Sequence, residues 1–221
     1  MQKYDTPDPI YAVLDIPAGR VRFIAADRAD TAVEVLPADA SNGRDVKVAE
    51  QTKVEYHDGV LRIEATAARR VLGSSGSVEV TVQLPAGSRV EAKVASADFQ
   101  TAGRLGDVAF DSAHASIKLD EAASARITTH DGRVSVGRLN GPAEIRTGRG
   151  DILIAEAVRG TVDLRTEVGK ISVGAAAGVS ASLDAGTTYG RISNALTNAG
   201  GAAELDIHAT TASGDIVARS L

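Results

Sequence analysis

A few residues could do chemistry if the fold gathers them. Asp98, Asp131, Asp151 and Asp215 recur near similar short turns, and carboxylates lined along one edge could hold a cation or a glycan. Calcium-binding β-rolls need a tight nonapeptide with Asp at every turn. Here Lys170 and Arg191 interrupt the row, so a ladder of opposed charges is expected instead. Arg149-Gly150-Asp151 spells an integrin-type tripeptide, but Gly and Asp are ordinary turn formers. His57, His114, His130 and His208 are scattered. His114 stands three places before Ile117 and His130 four before Val134, so the two are offset and do not make a ligand pair. Serine is plentiful, yet there is no G-x-S-x-G elbow. Gly73-Ser74-Ser75-Gly76 lacks the Lys-Ser/Thr and helix that a phosphate cradle requires. The expectation is no catalytic residue, no cofactor-binding residue and no metal ligand.

These residues sit on a repeat. ARITTHDGRVSV (125–136) returns as AEIRTGRGDILI from Ala143 and as VDLRTEVGKISV from Val162. Alternation on both sides of a short turn is the period of strands. Taking alternate residues as inward, one row reads Ala92, Phe110, Ile127, Ile145, Leu164, Leu183, Ile207, at separations of 18, 17, 18, 19, 19 and 24. The next row is Val94, Ser112, Thr129, Thr147, Thr166, Ala185, Ala209, and the first beyond the turn is Phe99, Ile117, Val134, Ile152, Ile171, Ile192, Ile216. Those two rows stand five residues apart in the earlier copies and seven in the last two. A fixed period just under ~20 residues with two short strands per unit is a solenoid signature. One unit cannot bury its own apolar face, whereas stacked units share a core.

The turn explains its residues. Gly132, Gly150, Gly169, Gly190 and Gly214 stand two places before the row that follows the turn, which suits a positive φ. Ala97 and Ala115 replace them in the first two copies and predict a different turn there. Stacked Thr129, Thr147 and Thr166 would exchange hydroxyl hydrogen bonds between neighbouring coils. Arg133, Asp151, Lys170, Arg191 and Asp215 precede the following row, where opposed charges help fix register. Outward charges on the strands, Arg126, Glu144, Asp163 and Arg146, Arg165, Asp184, look self-paired.

Composition sets bounds. Aromatic residues make up only 3% of the 221 and Trp is absent, so the core is built from Val, Ile, Leu and Ala. A net charge of −5 argues against non-specific nucleic-acid binding. Zero cysteines exclude disulfides and thiolate chemistry. MQKYDTPDPI has no apolar leader and nowhere is there an 18-residue apolar run. A soluble, cytoplasmic protein without membrane insertion is expected.

Residues 1–9 read as a polar lead-in and 10–36 already carry the pattern, with Ile16 and Val21 again five apart. Residues 37–50 read as a loop or insertion that relaxes the period, and His57-Asp58-Gly59 as a hairpin turn. Residues 66–77 read as a mobile surface loop. The division expected is an irregular N-terminal β-portion over 1–88, continuous with regular solenoid repeats over 89–221. The C-terminal coil, Leu205–Ala218, has no evident cap unless Ala199–Glu204 folds over it, and is a candidate edge for homo-oligomers.

QLPAGSRVEAKVASADF (83–99), followed by repeated T-x-x-G-[DKR]-[IV] turns, resembles the bacterial DUF4097 family of β-strand-repeat proteins, labelled "putative adhesin". The likeness is nearest to soluble actinobacterial-type members with a TPDPI-like lead-in. It covers nearly the whole chain and implies a β-solenoid, either a single-stranded β-helix or a flattened β-roll. The repeat itself gives about seven regular coils of roughly 18 residues. The family pattern contains no catalytic residues, and its role, linked to the envelope or stress response, is unassigned. The function expected is a non-catalytic binding or scaffold protein with a protein or glycan partner. The alternatives are a structural protein stacking end to end through its C-terminal coil and a carbohydrate-active enzyme on a β-helix.

Overall fold

The computed structural model of the chain describes residues 1–65, 76–198 and 202–221. Most of the stretch read as a surface loop, 66–75, and the first half of the supposed cap, 199–201, therefore lie outside the described residues. The described chain is all-β with a single helix, built on a long, unclosed, mostly parallel sheet. Its contacts divide it into two units, Met1–Ala115 and Ser116–Leu221.

The first unit is organised around strand β2 (Tyr11–Ala26). It runs parallel to β7 (Arg89–Ala102), with Ala12, Leu14, Ile16 and Val21 opposite Val90, Ala92, Val94 and Phe99. The five-residue step from Ile16 to Val21 thus matches the step from Val94 to Phe99. Gly19 lies opposite Ala97 and the strand runs on through the bend, so this turn does differ from those with glycine downstream. On the other edge of β2 lie β5 (Val60–Ala65) and β6 (Val78–Pro85), both parallel to it. Three antiparallel strands complete these sheets. They are β3 (Asp30–Pro37) against β6, β1 (Gln2–Asp5) against β3, and β4 (Thr52–His57) against β5. The β4–β5 hairpin turns on Asp58 (φ 49°) and Gly59 (φ 78°), the positive-φ pair expected of a two-residue turn.

Two readings are corrected here. The polar lead-in contains a strand, β1, because its backbone completes the exposed edge of β3. Residues 37–50, read as a loop or insertion, hold an element that reading did not include: most of helix α1 (Gly43–Gln51). Asn42 caps it, its side-chain oxygen accepting from the Arg44 N–H at 3.0 Å. Asp45 in the first turn is buried, and its carboxylate accepts from the backbone N–H groups of Ser77 (2.9 Å) and Asp39 (3.2 Å). Val48 is the helix's one buried apolar residue, so a carboxylate rather than an apolar stripe anchors the element.

The second unit takes in the latter part of β8 (Arg104–Asp131) and pairs of strands joined by the T-x-x-G turns. These are β10 (Ala143–Arg149) with β11 (Ile152–Ala157), β12 (Gly160–Val168) with β13 (Ile171–Ala175), β14 (Ala181–Tyr189) with β15 (Ile192–Ala195), and β16 (Leu205–Ser213) with β17 (Ile216–Ser220). Strand β9 (Val134–Leu139) precedes β10. β10 pairs in parallel with β8 and β12, and β11 with β9 and β13. The two strands flanking each glycine thus pair with neighbouring coils, so the turn is an arch. Ile127, Ile145 and Leu164 are consecutive partners at 0, 0 and 2% exposure, the dry column that the repeat predicts.

The coils are not stacked in chain order. β16 lies between β12 and β14, and β17 between β13 and β15. The coil that comes last in sequence is therefore internal, and the coil before it, β14–β15, is the outermost. Apolar burial accounts for this. Leu205, Ile207, Ala209, Ile216 and Ala218 are at most 1% exposed, whereas the outer coil carries Asn194 at an inward row and leaves Ile192 46% exposed. Terminal repeats carry the polar residues because only one of their sides is covered. The alignment of the last two coils shifts with it. Thr211 and Thr187, not Ala209 and Ala185, stand level with Thr166. Five residues then separate these rows throughout.

Candidate functional site

What the sequence singles out converges on the arches of the second unit. Their spatial order is Gly132, Gly150, Gly169, Gly214, Gly190. A Cβ on Gly150, Gly169, Gly214 or Gly190 would lie 2.1, 2.0, 2.0 or 1.9 Å from a neighbouring arch glycine's carbonyl oxygen. Close approach between stacked coils is thus the reason for glycine, joined at Gly150 (φ 139°) by a backbone that side chains disfavour.

The arch threonines, buried except for the half-buried Thr187, use those same carbonyls. Thr166 Oγ1 donates to Gly150 O (3.1 Å), Thr211 to Gly169 O (3.1 Å) and Thr187 to Gly214 O (3.0 Å). Thr147 reaches Arg149 O at 3.2 Å and Gly132 O at 3.4 Å. The hydroxyls bond to main-chain carbonyls rather than to one another, which corrects the expected exchange. Each apolar column ends on a hydroxyl with a partner, as a buried polar group requires.

The residue after each glycine carries charge. In spatial order these are Arg133, Asp151, Lys170, Asp215, Arg191, which alternate in sign. In chain order two bases, Lys170 and Arg191, would be neighbours. Arg133 lies 3.3 Å from Asp151, and Asp151 Oδ1 accepts from the Lys170 N–H at 2.9 Å. Asp215 accepts from the Arg191 N–H (2.9 Å) and guanidinium (3.3 Å). The Arg191 N–H, then its side chain, hold the Asp215 carboxyl below the ordinary value of 3.8. The Arg-Gly-Asp tripeptide is occupied in this way. Arg149 faces Asp131 at 3.8 Å and Asp151 serves the charge ladder.

The four acids do not form a continuous row. Asp151 and Asp215 flank Lys170, Asp131 lies two residues earlier in its arch than they do, and Asp98 stands opposite Arg20 in the first unit. His57, His114, His130 and His208 are all exposed. Among the described residues no group of three or more His, Asp or Glu side chains could hold a metal ion.

One outward face of the second unit is a register-aligned polar array. Arg126, Glu144, Asp163, His208 and Asp184 are successive partners across five strands. Beside them run Thr128, Arg146, Arg165, Thr210 and Gly186. Glu144 lies 2.7 Å from Arg146 and 3.6 Å from Arg126, and His208 Nδ1 lies 3.7 Å from Asp184. The sequence pairs Arg126 with Glu144 correctly. It does not place His208 between Asp163 and Asp184, because that neighbour relation depends on the inserted coil.

An all-β chain whose repeats stack in parallel and meet at glycine arches is a solenoid-like repeat protein. The chain belongs to the Toastrack DUF4097 family, whose model matches residues 15–220. Similar solved structures include a putative cell adhesion protein from Clostridium sporogenes ATCC 15579, at 11% identity over 100% of this chain and 98% of that one, TM-score 0.42. A putative adhesin from Bacteroides fragilis NCTC 9343 is 12% identical over 98% and 95%, TM-score 0.48. Another from Parabacteroides distasonis ATCC 8503 is 13% identical over 98% and 95%, TM-score 0.46. Comparison with curated proteins finds no match. Among the described residues no helix is long and apolar enough to cross a membrane.

Proposed function

We propose that the chain is a non-catalytic β-solenoid that binds a partner through the outward face of β8, β10, β12, β16 and β14. The observation that carries this is the aligned column Arg126–Glu144–Asp163–His208–Asp184, held in register by main-chain pairing across all five strands. A rigid ladder holds hydrogen-bonding groups at a repeat of roughly 4.8 Å, which favours an extended, repetitive polar partner such as a glycan strand. Its charges largely neutralise one another, so contacts there are hydrogen bonds more than net attraction. Glu144 is engaged by Arg126 and Arg146, an arrangement that suits a platform rather than a general acid.

A glycan array probed with the full chain and with the double variant Asp163→Lys, Asp184→Lys tests the reading. The expected result is a bound glycan class whose signal falls more than about tenfold in the variant. Turnover of any arrayed glycan, or binding indifferent to the variant, overturns it.

A further inference from the structure

The outermost coil of the second unit has β16–β17 against one edge; on the other no strand is described, and the Ala181 N–H at the start of that edge donates to Thr197 O at 3.2 Å. Its apolar groups are poorly covered: Tyr189 is 75% and Ile192 46% exposed, and Leu183 is only half-buried. An unpaired parallel edge is a template for another strand. The inner arches show what this template accepts.

Three requirements follow from the repeat. The residue stacked on Gly190 must be glycine, since each inner arch brings a Cβ position to within 1.9–2.1 Å of the neighbouring glycine's carbonyl oxygen. The residue after it must be acidic, since the ladder of alternating charge ends on Arg191, whose side chain is 90% exposed and has Asp215 on one side only. A threonine three places before the glycine would donate to Gly190 O as Thr187 donates to Gly214 O. The main chain is set for the same register. Gly169 N–H donates to Ser213 O at 2.9 Å and Ile171 N–H to Asp215 O at 3.0 Å. The equivalent N–H groups of Gly190 and Ile192 point to the open side.

We propose that the open edge of β14–β15 docks, by parallel strand addition, a segment of another protein with the sequence Thr-x-x-Gly-(Asp/Glu)-(Ile/Val). A second copy of this chain does not supply it. The copy's own matching segments, Thr147–Ile152 and Thr211–Ile216, are paired along both edges. The lateral strands of the first unit, β1 and β4, carry no such sequence. This edge is distinct from the polar face proposed above, and neither proposal depends on the other.

A synthetic peptide spanning Glu204–Leu221 contains the motif and serves as the probe against the full chain. Calorimetry is expected to show saturable one-to-one binding, and amide exchange is expected to slow at Gly190 and Ile192. A Gly214→Ala peptide is expected to lose more than about tenfold in affinity, and an Asp215→Lys peptide several-fold, most at low salt. Four results overturn the proposal: no binding at millimolar peptide, equal binding by the Gly214→Ala peptide, no slowing at Gly190 and Ile192, or concentration-dependent association of the chain alone through this edge.

Discussion

The two units finish their sheets by different means. The first turns antiparallel at its flanks: β1 covers β3 with a mostly exposed QKYD strand, and β4 covers β5 with TKVEYH, in which Lys53 and Glu55 face solvent. Charged, short flanking strands are a familiar defence against unwanted pairing. The second unit remains parallel to its last coil and relies on composition alone, placing its more polar coil outermost and its more apolar coil inside. A sheet can thus be ended by changing strand direction or by changing which residues the last strand carries. Only the second way leaves an arch with a defined charge and a defined glycine requirement on display.

The sharpest test of this contrast compares Ile207 with Ile192. Ile207→Ala is expected to cost ~2–5 kcal/mol, as for a large residue removed from a packed core. Ile192→Ala, at an exposed end position, is expected to cost less than about 1 kcal/mol. Chemical denaturation of both variants measures the difference. Stacking in chain order predicts that Ile192 matters more, so a reversed ranking would break the account of the outer coil.

Next in size is Gly150→Ala. It introduces a Cβ against Gly132 O at a positive φ, and about 1–3 kcal/mol of destabilisation is expected. Gly43→Ala in the first unit, with nothing near its Cβ position, is expected to be close to neutral. Thermal melts of the two variants check that arch glycines answer to stacking.

Smaller still is the burial of Ser112, whose hydroxyl is buried without a described hydrogen-bond partner. Its row in the second unit holds threonines that reach carbonyls. Ser112→Ala is therefore expected to stabilise by about 1 kcal/mol, whereas Thr166→Ala destabilises. Denaturation midpoints of the pair decide it.

The least effect comes from acid. Asp215 titrates below 3.8 in the folded chain because Arg191 favours its charged form. Its contribution is therefore fully present above pH ~3.8, the unfolded value, and is lost as pH falls through the lower folded value. Melts at pH 5 and pH 2.5 should differ less in Asp215→Asn than in the unaltered chain. An equal difference in both would remove the charge ladder from the account of coil order.

Much of this architecture is legible in the sequence. The columns through Ile127, Ile145 and Leu164, the glycine arches and the hairpin at Asp58-Gly59 follow from spacing and residue type. Coil order is not obtained by reading copies in succession, because periodicity says which residues share a layer but not which layers touch. The arch charges do carry that information: with 133, 151 and 170 kept in chain order, the signs alternate only if 215 comes before 191. Helix α1 escapes notice for a different reason. Its anchor is Asp45, bonded to main-chain groups of Asp39 and Ser77, and a search for apolar periodicity has nothing to find there.

The inserted coil also bears on how the chain is made. Residues 205–220 leave the ribosome after 181–195, yet they occupy the place between that coil and β12–β13. Either the earlier-made coil waits unattached until the later one arrives, or it docks first on β12–β13, with Lys170 beside Arg191, and must be displaced. Synthesis and assembly therefore run in opposite directions over this stretch, and a chain cut off after residue 200 would have to leave residues 181–195 loose or stack them on a neighbour that the finished protein does not give them.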